Sequence, residues 1–74
     1  MNISRRNRVN DVLKGVECNV KQLNDILSEE YEAYENMPDG LKSSENGLVS
    51  EEVQKVLESA IDSLYETIGY LEEV

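Results

Sequence analysis

The stretch YEAYENMPDGLKSSENG, residues 31–47, decides the fold, because it interrupts a chain that otherwise carries helical periodicity from end to end. It holds the only proline, Pro38, and two of the four glycines, Gly40 and Gly47. Proline lacks a backbone donor and pushes the residue before it out of helical geometry, so Met37-Pro38 ends a helix. Pro38-Asp39-Gly40 is turn chemistry, and Ser43 to Gly47 is a second polar cluster closed by glycine. Residues 36–49 therefore read as a loop between two helices.

Upstream of that loop the apolar residues recur at Val9, Leu13, Val16, Val20, Leu23, Leu27, Tyr31 and Tyr34. Steps of three and four put them on one stripe, close to a heptad seam, and predict a first helix over residues 4–35. Two four-residue steps in a row, Leu23 to Leu27 to Tyr31, read as a stutter that locally unwinds the seam. Downstream, Ser50 is a candidate N-cap with Glu51 and Glu52 in the favoured first turn. Val53, Val56, Leu57, Ala60, Ile61, Leu64, Ile68 and Leu71 then repeat at helical spacing and predict a second helix over residues 50–73. With Tyr65 and Val74 added, this face spans about half the helix circumference, wider than one neighbouring helix covers.

The fold class that follows is all-α: one domain, residues 1–74, folded as an antiparallel two-helix hairpin. A chain this short has a marginal core unless something adds to it. Cys18 is the only cysteine and histidine is absent, so neither a disulfide nor a usual zinc site is available. Self-association into a four-helix bundle is the remaining remedy. The residues expected at the core and oligomer interface are Val20, Leu23, Leu27, Tyr31, Val53, Leu57, Ile61, Leu64, Ile68 and Leu71.

Charge is placed unevenly. The net charge is −9, with residues 1–28 carrying Arg5, Arg6, Arg8, Lys14 and Lys21 against three acids. Residues 29–74 carry thirteen acids against Lys42 and Lys55. Such a surface repels nucleic acid and acidic lipid and steers basic partners toward itself. The arginines near the N-terminus, and Glu72 and Glu73 near the C-terminus, both oppose the helix dipole. An antiparallel hairpin brings those ends together, which predicts that they pair. A lone cysteine favours a reducing, cytoplasmic setting. No apolar run is long enough to span a bilayer.

Catalytic constellations are missing. Without histidine there is no usual general base, and Cys18 lies nearly opposite the apolar stripe with no activating partner. Glu32 and Glu35 are one turn apart, but carboxylate metal sites in bundles pair such glutamates with Glu-x-x-His. A solvated face is the expected role of the acidic cluster, and no metal or other cofactor is expected. Tyrosines suit positions where one end is wet, so Tyr31, Tyr34, Tyr65 and Tyr70 read first as core and interface edge, second as partner anchors.

The run LSEEYEAYENMP, the following loop with Ser44, Glu45 and Gly47, and the acidic ESAIDSLYETIGYLEEV together resemble a family of small acidic proteins of phages and prophages of Gram-positive bacteria. Members have a charged first helix ending in D/E-E-x-E-x-x-x-N-[ML]-P, matched here by Glu29, Glu30, Glu32, Asn36, Met37 and Pro38. Asn46 before Gly47 and a shorter second helix depart from the pattern. The resemblance implies a phage origin and a helical hairpin, and lends no general activity. The expectation that follows is a non-enzymatic protein in the cytoplasm of an infected bacterium that binds and inhibits a host protein, a defence or nucleic-acid-handling enzyme. Self-association is expected besides, with neither direct nucleic-acid binding nor a membrane. The partner-binding residues expected are Glu29, Glu30, Glu32, Glu35, Asn36, Met37, Pro38, Ser44 and Glu45. The alternatives are a structural or assembly coiled coil, and an oligomer that sequesters a small host signalling molecule through its arginines.

Overall fold

A computed structural model describes all of residues 1–74. It is all-helical: α1 spans Ile3–Glu35, a single-turn α2 spans Asp39–Lys42, and α3 spans Glu45–Glu72. α1 and α3 run antiparallel along each other in a rod with extents of 58 × 15 × 12 Å. Asn2 starts α1, its Oδ1 accepting from the Arg5 amide at 2.8 Å. Asn36 ends it, and Pro38 opens α2 in the extended geometry its ring imposes.

The expected loop is largely helix. α3 begins five residues before the expected start, with Ser44 as its N-cap residue and Glu45 in its first turn. Ser50 is therefore not a cap; it is 3 % exposed and faces α1. The cause of the misreading is Gly47, a helix breaker by local propensity. A Cβ at that position would lie 2.0 Å from the Lys42 carbonyl oxygen. Glycine sits there so that α3 can start directly against the end of α2, with the reversal compressed into residues 36–44.

The stutter is also absent. The α1 residues turned inward are Val9, Leu13, Val16, Val20, Leu23, Leu27, Glu30 and Tyr34, in steps of four and three without interruption, and Met37 just past its end continues the pattern. Glu30 holds the position expected for Tyr31. On α3 the matching seam is Gly47, Ser50, Gln54, Leu57, Ile61, Leu64, Ile68 and Leu71. Two unbroken heptad seams face each other, the arrangement that keeps a shared stripe in register along a coiled pair.

Val20, Leu27, Ile61 and Ile68 form the buried core, with Leu13, Val16, Leu23, Leu57 and Leu64 packed against it. Leu71 is half-buried at the far end. Tyr31 and Val53 lie outside this core, each 39 % exposed. The arginine ends do not pair as expected either. The one ion pair joins Lys42 to Glu35 at 3.8 Å, at the opposite end of the rod.

Ile61→Ala is expected to destabilise the fold by about 2–5 kcal/mol, the range for truncating a buried aliphatic, read from denaturant unfolding. Glycine replacement separates packing from propensity. Gly69 has nothing within 4 Å of an added Cβ, so Gly69→Ala gains about 1 kcal/mol of helix propensity. Gly47→Ala gains the same term but forces α2 away from α3 at about 1–3 kcal/mol. Thermal melts of the two variants should shift in opposite directions.

Candidate functional site: the acidic turn and an uncharged face

Most of the sequence-predicted partner residues gather at the turn end of the rod, in roles that differ from one another. Glu29, Glu32 and Glu35 are exposed on the last turns of α1, and Glu45 is exposed at the start of α3. Asn36 is the α1 C-cap, its backbone amide donating to the Glu32 carbonyl while the Met37 amide donates to the Tyr34 carbonyl. Met37 is half-buried, and Pro38 and Ser44 mark the starts of α2 and α3. The Ser44 hydroxyl donates to the Leu41 carbonyl instead of accepting from α3. These residues build the reversal, so their backbone chemistry is committed to the fold.

Glu30 departs from the surface reading. Its carboxylate accepts from the Ser50 hydroxyl at 2.7 Å, and the Gln54 amide donates to the same hydroxyl at 3.3 Å. This is a polar layer inside the seam. Such a layer costs stability relative to apolar packing and specifies register.

Tyr31, Tyr34 and Tyr65 act as staples along one side of the hairpin, whereas the Tyr70 hydroxyl donates to Glu66 of its own helix at 3.1 Å. Asn24 Nδ2 donates both to the Val20 carbonyl and to the Tyr65 hydroxyl, each at 3.2 Å. The Tyr31 hydroxyl donates to Glu58, and the Tyr34 hydroxyl to Glu51 at 2.6 Å. Lys42 Nζ lies 5.4 Å over the Tyr34 ring, within cation–π range. The hydrogen bonds to Glu58 and Glu51 are the main reason the Tyr31 and Tyr34 phenols are raised above their ordinary 10.0, with lost hydration and the carboxylate charges acting the same way.

The opposite side of the hairpin is different in kind. In an antiparallel helix pair the same-handed flanks of the two helices share a side. Tyr65 and Asn24 lie about a quarter turn one way from their seams, and a second α3 stripe lies about a quarter turn the other way. It runs Val49, Val53, Val56 and Ala60, then Ser63, Thr67, Tyr70 and Val74, again in steps of four and three. All eight are exposed and none is charged. The matching flank of α1 carries Val12 at 59 % and Ile26 at 49 % exposure, with Gly15, Asn19, Gln22 and Ala33, and with charge only toward its ends at Arg5, Arg8 and Glu29. At its N-terminal end an open groove of about 610 Å³ is lined by Met1, Arg5, Arg8, Val12 and Leu71 among others. The half-circumference of apolar residues on α3 is thus two adjacent seams, of which the hairpin covers one.

Cys18 is exposed, and no three acidic or thiol side chains converge at a spacing able to hold a metal ion. No helix is long and apolar enough to cross a membrane. No protein-family model, curated protein or solved structure matches the chain.

The raised phenols carry a sign. A folded-state value above the unfolded one means the native state holds its protons more tightly. The staples then contribute fully below pH 10.0, and the contribution is lost as pH rises through the raised folded values. Tyr31→Phe/Tyr34→Phe should flatten the fall in stability above that pH, measured by denaturant unfolding across an alkaline series.

Proposed function

We propose that this chain is a phage-encoded, non-enzymatic binding protein that inhibits a host protein in the bacterial cytoplasm, its acidic turn end steering it toward a basic surface. The observation that carries the reading is the crowding of exposed Glu29, Glu32, Glu35, Asp39 and Glu45 at one end of the rod, with Lys42 as the one local base. Carboxylates concentrated this way raise the encounter rate with a basic partner, such as an enzyme that handles nucleic acid. The resemblance of residues 29–47 to small phage proteins supports the biological setting.

The acting form proposed is a dimer that completes a four-helix bundle. Its support is surface area. A folded monomer of this mass exposes about 4,600 Å², whereas the hairpin exposes 5531 Å². The excess, about 900 Å², is close to the roughly 800 Å² that each partner of a standard interface buries. A structural coiled-coil role is the second reading, favoured by the same uncharged face.

Target identification by tagged purification from infected cells comes first, followed by charge reversal. Glu30 is left intact because it bonds Ser50. Glu29→Lys/Glu32→Lys/Glu35→Lys should slow association with the purified target about tenfold at low salt and flatten its salt dependence, with helicity unchanged. If the inhibition phenotype survives these three changes, steering by this end is not the mechanism and the structural role takes its place.

A further inference from the structure

The uncharged side of the hairpin has a built-in symmetry. We infer that it is the dimer interface, with a second copy of the chain lying across it about a two-fold axis perpendicular to the rod, near Asn19 and Ala60. The inference rests on the proposed self-association and adds the face, the axis and the register.

Two arguments select this geometry. The first is charge. On this side, Arg5 and Arg8 stand at one end, while exposed Glu29 stands toward the other. An axis along the rod would lay α1 of one copy on α3 of the other, setting Arg5 and Arg8 against the uncharged Tyr70 and Val74. A perpendicular axis reverses one copy end for end, so each basic end meets an acidic one.

The second is register, read separately from each helix. A perpendicular axis in the interface plane lays α3 on α3 and α1 on α1, both antiparallel. On α3, reversing the stripe sets Val53 of one copy against Tyr70 of the other and Val56 against Thr67, which centres the axis between Ala60 and Ser63. On α1, setting Val12 of one copy against Ile26 of the other centres the axis on Asn19 and brings Arg8 beside the exposed Glu29. Within one chain the Ser50–Glu30 hydrogen bond puts those two residues at one height, and the antiparallel seam carries that match along to Asn19 and residue 61. Two independent registers therefore place one axis at one height. The residues nearest it, Asn19, Ala60 and Ser63, are small or uncharged, which permits close approach.

The test uses the full chain. Sedimentation equilibrium of the parent should give a dimer, and Val56→Glu should weaken it about 100-fold or more, since it buries an uncompensated charge, with helix content unchanged by circular dichroism. In a Cys18→Ser background, Asn19→Cys should form a disulfide-linked dimer on mild oxidation, because only on the axis does a residue meet its own copy. A helical Val56→Glu variant that remains dimeric would overturn the face while leaving self-association standing. Dissociation by Val56→Glu without cross-linking through Asn19→Cys would overturn the axis. A parent that is monomeric would overturn self-association itself and leave the face for a different partner.

Discussion

Everything in this molecule depends on two heptad seams meeting in one register. A hairpin of two helices has a single line of contact, and Val20, Leu27, Ile61 and Ile68 are its only buried apolar side chains. A slip of one heptad would leave much of that apolar stripe matched, so hydrophobic burial alone discriminates poorly between registers. The Glu30–Ser50–Gln54 layer discriminates well. A slipped alignment would bury those groups opposite aliphatic side chains, with their hydrogen bonds unmade, and each orphaned polar group costs on the order of 1–3 kcal/mol.

The turn end enforces the same register by different means. Gly47 lets α3 begin in contact with the Lys42 carbonyl, so the reversal has little slack with which to accommodate a slide. Lys42 also lies over the Tyr34 ring and near Glu35, joining α2 to the end of α1. The acids at this end divide accordingly. Glu30 belongs to the interior, Glu51 and Glu58 receive tyrosine hydroxyls, and Glu29, Glu32 and Glu45 are exposed. One cluster in the sequence becomes three populations in space.

The hairpin is two-sided as a consequence. Tyrosine–carboxylate and tyrosine–amide bonds close one side, leaving it wet and charged. The other side has no crossing hydrogen bonds from its uncharged stripe and keeps its valines in water. A radius of gyration of 17.1 Å, against about 11 Å for a globular chain of this length, reflects the same fact: the rod is too thin to cover its own apolar surface.

Residue pattern alone determined the helical class, the single reversal after Glu35, the seam from Val9 to Leu27 and the excess apolar width of α3. These are properties of periodicity and of proline geometry, which local sequence carries in full. Tertiary structure alone decided the start of α3, the place of Glu30 and the fate of the tyrosines and arginines. Gly47 reads as a breaker until the Lys42 carbonyl is beside it, and Glu30 reads as surface until Ser50 arrives from twenty residues away. Opposite charges at two chain ends suggested a pairing, but the helices carry Arg5, Arg6 and Arg8 past Glu72 and Glu73 without joining them. The reason is physical: spacing along a chain sets which face a residue occupies, whereas only the partner helix sets what that face meets.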